Sequence, residues 1–75
     1  MESQLSVIEC KRSDYKICKG CGSINWYENE YCHNCAHPTF DKRDKAVHNW
    51  VKEERKFWEE ADYDETEIDD LKIEI

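Results

Sequence analysis

Glycine and proline are scarce in this chain, two and one in 75 residues, which argues against a linker-like or low-complexity sequence. No apolar run approaches the ~20 residues that cross a bilayer, and the mean hydropathy of −1.03 is strongly polar, so no membrane role is expected. No signal-peptide pattern opens the sequence, and the expected compartment is the cytoplasm. Bases are outnumbered: eleven Lys and Arg against eighteen Asp and Glu give a net charge of −7, unlike a typical free-standing nucleic-acid binder. There is no Ser/His/Asp or Cys/His nucleophile set and no Gly-rich phosphate loop, so catalysis is not expected.

The charge that is present is unevenly placed. Residues 1–45 hold seven bases and seven acids, residues 46–75 four bases and eleven acids, so the whole imbalance lies in the second part. The chain reads as residues 1–40, an N-terminal hairpin plus a cysteine-bearing ribbon; 41–61, a helix; and 62–75, an acidic tail with a terminal strand.

Four of the five cysteines form one pattern: Cys18 and Cys21, ten residues, then Cys32 and Cys35. A Cys-x2-Cys turn lets two thiolates converge on one ion while backbone N–H groups point at the sulfurs, and ten residues suffice for the hairpin that joins two such knuckles. Four thiolates close a tetrahedral shell with Zn–S near ~2.3 Å. Structural Zn(II) is therefore the expected cofactor, with iron in the same cage as the alternative. A saturated cage leaves no open position for a reactive water, and a chain this small buries little apolar surface, so the front half is expected to be unfolded without metal. Gly22 is the residue type that leaves a knuckle at positive φ.

The frame of Cys18, Cys21, Gly22, Asn25, Cys32 and Cys35, with aromatic Tyr31 before the third cysteine, resembles the short zinc ribbons of archaeal and bacterial proteins. The same cysteine and asparagine spacing is similar to that of the Ran-binding-protein type of zinc finger, which carries a tryptophan where this chain has Lys16. Ala36 stands where the ribbon usually has a second knuckle glycine. The resemblance covers about residues 15–40 and implies a metal and a fold; such ribbons serve many functions, from transcription and translation to ubiquitin reading.

Outside that frame, Leu5 to Cys10 reads as a strand, Lys11 to Asp14 as a turn, and Tyr15 to Ile17 as a second strand entering the first knuckle. Cys10 is expected to be a small buried residue, and His33 and His37 to be exposed loop histidines. Asp41 or Thr39 is a natural cap for a helix running to about Ala61. At 100° per residue Ala46, Val47, Trp50, Val51, Phe57, Trp58 and Ala61 share one arc, with Glu54 alone among them and in need of a donor. The stripe serves either as the missing core or as a docking surface, and a homodimer would satisfy it equally. In the tail, Leu71, Ile73 and Ile75 alternate with Lys72 and Glu74 as an added strand would, and acid followed by a β segment resembles the motifs that bind ubiquitin-like proteins.

The expected fold is thus a small metal-stabilised α+β domain: zinc-ribbon β-hairpins, one amphipathic helix and an acidic tail. The expected function is that of a non-enzymatic adaptor or regulator bound to a larger protein assembly, with Trp50, Phe57, Trp58, Leu71, Ile73 and Ile75 as contacts. The alternative is a nucleic-acid-binding ribbon acting in transcription or translation through Lys11, Arg12, Lys16, Lys19, Trp26, Tyr27, Lys42 and Arg43.

Overall fold

A computed structural model describes residues 2–75. Strand β1 (Glu2–Gln4) runs directly into helix α1 (Leu5–Cys10), and a 3₁₀ turn (Arg12–Asp14) leads to β2 (Tyr15–Cys18). Then come β3 (Ile24–Trp26), β4 (Phe40–Asp41), the long helix α2 (Asp44–Glu60), a short helix α3 (Glu65–Asp69) and β5 (Lys72–Glu74). One antiparallel sheet has the order β3-β2-β4, with Cys18 at the end of β2 and Cys21, Cys32 and Cys35 in the adjoining turns and loops; the other pairs β1 with β5.

The β2–β3 hairpin sets Tyr15 opposite Trp26 and Ile17 opposite Ile24 and turns through the first knuckle, whereas the ten residues between the knuckles, expected to form a hairpin themselves, supply only β3 and turns. The segment Leu5 to Cys10 does not: it is helical. Its apolar residues fit either period over so short a run. The helix wins because Leu5 and Ile8, three apart, fall on one face and are both fully buried, whereas Val7 and Cys10 are left at the side or outside. The expected N-terminal hairpin is therefore absent among the described residues. Cys10 is exposed rather than buried.

Helix α2 also begins later than its capping residues suggest. Phe40 and Asp41 add a third strand to the ribbon sheet, opposite Cys18 and Ile17, and Asp41 instead accepts from the Arg43 N–H at 3.0 Å and holds the Arg43 guanidinium at 2.7 Å. The helix ends in a Schellman motif: Asp62 takes φ 66°, its N–H bonds Glu59 O at 3.1 Å and the Tyr63 N–H bonds Trp58 O at 3.1 Å. Asp62 thus closes the helix, a role aspartate can fill because it tolerates the left-handed region.

The tail is part of the body. Asp64 caps α3 by accepting from the Glu67 N–H at 2.9 Å, and this turn delivers Ile68 into the core, 1% exposed. Strand β5 then pairs with β1, Ile73 opposite Ser3. Core residues come from every layer: Leu5 and Ile8, Tyr15 and Ile24, Val47 and Val51, Ile68 and Ile75. Arg55 joins three helices by holding Glu9 at 2.8 Å and Asp69 at 2.6 Å. No helix among the described residues is long and apolar enough to cross a membrane.

Candidate metal centre

Cys18 ends β2, and the chain reverses through Lys19 and Gly20 so that Cys21 faces back. The N–H groups of Gly20 and Cys21 point at Cys18 Sγ from 3.2 and 3.4 Å, and Gly22 N–H closes the turn on Cys18 O at 3.0 Å. Gly22 has φ 77° with open space where a Cβ would stand, so its requirement is conformational and not steric. The second knuckle repeats the design. Asn34 N–H reaches Cys32 Sγ at 3.4 Å, Ala36 N–H bonds Cys32 O at 2.9 Å, and Ala36 takes φ 62°. Where the ribbon pattern usually has glycine, alanine therefore adopts glycine's conformation with the same bonding. Gly20 has a different reason: a Cβ there would stand 3.0 Å from the His37 ring, so the segment after the second knuckle lies against the first.

The four sulfurs lie within 4.8 Å of one another, with Cys18 to Cys35 at 3.5 Å and Cys21 to Cys32 at 3.6 Å. A tetrahedron with Zn–S of about 2.3 Å has S–S edges of about 3.8 Å. Cys18, Cys21, Cys32 and Cys35 are thus placed to hold one metal ion. Cys18 and Cys32 are buried and Cys21 and Cys35 exposed, so one side of the cage faces solvent.

Asn25, fully buried, braces this cage. Its amide N–H groups reach Ser23 O at 3.2 Å and Cys32 Sγ at 3.5 Å, and its carbonyl oxygen accepts from His33 N–H at 2.9 Å. His33, exposed as expected, donates from Nε2 to Ile24 O at 2.9 Å. Asn34 adds an amide contact to Cys21 Sγ at 3.7 Å.

Four thiols so close cannot all ionise without a cation. Hydrogen bonds from the side chain and backbone of Ser23 bring Cys21 down to about 5. Burial pushes Cys32 up, but the Cys35 N–H, the Asn25 amide and the Asn34 N–H outweigh it and lower that thiol. Cys35 accepts from the His37 backbone, yet the facing Cys21 and Cys18 sulfurs push it up to about 12. A metal cation held at the centre would supply the charge that makes four thiolates compatible.

The residues named for nucleic acid do not form one face. Lys16 is only 5% exposed; its ammonium bonds Asn29 O and lies 3.9 Å from the centre of the Phe40 ring. Arg12 pairs with Asp44 at 3.1 Å and donates to His48 Nδ1, and Arg43 pairs with Asp41. Trp26 packs against the core beside Tyr15, while Lys11, Lys19, Tyr27 and Lys42 are exposed.

The partner-contact residues divide similarly. Trp50, Trp58, Leu71 and Ile73 pack against the core, Ile75 is buried, and Phe57 is 61% exposed. Glu54, alone in the apolar arc, meets its donor within its own helix, Trp58 Nε1–H at 3.1 Å. The bracing role of Asn25 was visible only as part of a spacing pattern, and that of Asn29, which bonds both Asn25 and the Ile75 carbonyl, had no sequence signal. Comparison with protein-family models, curated proteins and solved structures finds no match to the chain.

Proposed function

We propose that this protein is a non-enzymatic, zinc-stabilised adaptor or regulator that docks on a larger protein assembly. Zinc fits the four-cysteine cage by its preference for a closed tetrahedral thiolate shell, and its role there is structural. The observation that carries the docking reading is Phe57, a large apolar side chain presented to solvent on a helix whose other large apolar residues are packed inward. Aromatic side chains of this kind are the usual anchors of protein interfaces. All three arginines pair with carboxylates of the same chain and Lys16 is buried, which leaves the nucleic-acid alternative only the exposed Lys11, Lys19, Lys42 and Tyr27.

Affinity purification of the tagged full chain from native extract, side by side with Phe57→Ser, tests the reading. The expected result is a co-purifying protein that the substitution removes while metal content is unchanged. Retention of single-stranded RNA or duplex DNA at physiological salt, weakening steeply as salt rises, would overturn it in favour of the alternative.

A further inference from the structure

The exposed end of α2 combines two features that specify a partner. The first is a fixed aromatic platform. Phe57 meets Trp58 edge to face at 5.1 Å, Trp58 meets Tyr63 at 4.9 Å, and the Trp58 indole is tied to Glu54. The Schellman turn at Asp62 holds Tyr63 against this stack. Little rotamer freedom remains to be lost on binding, as suits a recognition surface.

The second feature is an excess of carboxylates over the single adjoining base, Lys56. Residues three and four apart are neighbours on a helix surface, and around Phe57 these positions hold Glu53, Glu54, Glu60 and the small Ala61. Beyond the helix end come Asp62, Asp64, Glu65 and Glu67, all exposed, and no base occurs between Lys56 and Lys72. An aromatic face bordered by carboxylates suits a cation on an apolar stem, because the ring attracts the charge, the carboxylates pair with it and the stem covers the ring. It repels nucleic acid and anionic lipid. A second copy is disfavoured too, since each chain carries −7 and a symmetric contact here would set carboxylates against carboxylates.

We propose that the Phe57–Trp58–Tyr63 face with its carboxylate border docks a cationic polypeptide segment, one of whose arginine or lysine side chains lies across the Phe57 ring. This rests on the protein-docking reading above and names the chemistry of the partner. Arginine suits the site better than lysine because its planar guanidinium can stack on the ring while donating to Glu53 or Glu60.

The test uses the zinc-loaded full chain and a labelled peptide of alternating arginine and alanine, with a glutamate–alanine peptide as control. Binding is followed by anisotropy and its position by amide chemical shifts. The arginine peptide is expected to shift residues around Phe57, Trp58 and Tyr63, and the glutamate peptide to shift nothing. Phe57→Ser should weaken binding about thirtyfold, the loss expected of an interface hot spot, while Phe57→Tyr keeps it. Glu53→Lys combined with Glu60→Lys should weaken it at least as much.

Equal affinity for wild type and Phe57→Ser, or shifts spread over all the acidic residues, would reduce the effect to general charge attraction and overturn the proposal. So would sedimentation showing that wild type dimerises through this face. Failure of the arginine peptide, with Phe57→Ser still stripping a protein from the tagged chain, would overturn the cationic partner and leave the docking reading standing.

Discussion

Asn29 donates its side-chain amide to the carbonyl oxygen of Asn25 at 3.2 Å. The same amide reaches the carbonyl of Ile75 at 3.2 Å, and Asn25 in turn holds Cys32 Sγ and the His33 N–H. A continuous polar relay thus runs from the second knuckle to Ile75, the residue after β5. Every group in it is paired; no buried side-chain N or O among the described residues lacks a partner. Such networks are costly to break at one point, because the remaining donors and acceptors stay buried.

Asn25→Ala should therefore act on the metal before it acts on the fold. Removing the side chain leaves the His33 N–H without its partner, takes one acceptor from the Asn29 amide and removes the amide contact to Cys32 sulfur, while the Ser23 carbonyl keeps its bond from the Cys18 N–H. Outer-shell losses of this kind lower metal affinity about 10–100-fold. Competition against a chromogenic chelator measures it, and an affinity equal to wild type would remove Asn25 from the site.

The two knuckles predict that glycine is favoured over alanine after each. Ala36 sits at φ 62° and Gly22 at φ 77°. Ala36→Gly relieves a left-handed alanine and, after the added freedom of the unfolded chain, should stabilise the metal-loaded protein by about 0.5–1 kcal/mol. Gly22→Ala should destabilise it by about 1 kcal/mol. Thermal melts of the two variants should move in opposite directions.

Lys16 makes stability depend on alkaline pH. Burial, with a smaller contribution from Lys42, lowers its pKa below the ordinary 10.5. The unfolded chain thus holds this proton more tightly than the folded one, and stability rises with pH from the folded value up to the unfolded value. Lys16→Met keeps the stem over Phe40 and lacks the titration. Denaturant unfolding across that window should show wild type gaining on the variant as pH approaches 10.5.

Ile68→Ala tests whether the acidic segment is part of the core. Ile68 is 1% exposed and packs in one cluster with Leu5, Ile8 and Val51. A loss of about 2–4 kcal/mol is expected for such a truncation, measured by urea unfolding of the zinc-loaded protein. A loss within ~0.5 kcal/mol, as for a surface site, would detach the tail from the body.

Chelation should unfold more than the ribbon. Tyr15 and Ile24 belong to the same cluster as Val47 and Val51, so loss of the cage loosens the floor on which α2 rests. Structural zinc contributes about 10–16 kcal/mol, comparable with the whole stability of a small domain. Amide dispersion should collapse across both sheets and α2 on adding a strong chelator. Survival of α2 signals would show that the helix has a core of its own.

The metal cage was legible because cysteine spacing is a local code: each knuckle closes on itself within a few residues, and both turns bond alike whether glycine or alanine follows. The inward face of α2 was legible at Val47 and Val51 for the same reason, the helical period being written along one segment. Leu5 to Cys10 reads as a strand but is helical because six residues satisfy either period and only burial in the cluster with Val51 and Ile68 decides between them. The start of α2 was misplaced because Phe40 and Asp41 are claimed by β2, a pairing fixed by residues more than twenty positions away. In the tail, β5 follows the alternation of Leu71, Ile73 and Ile75, whereas the helical turn that buries Ile68 is hidden among the carboxylates around it.

The ladder from Glu2–Gln4 to Lys72–Glu74 closes the longest loop in the described chain. Its entropy of closure is the largest and its hydrogen bonds are few, so it forms last and opens first. The knuckles can assemble around their ion before either extremity arrives. Amide protons of β1 and β5 should then exchange with solvent well ahead of those in β2 and β3, making the paired extremities a latch that can lift while the centre stays shut.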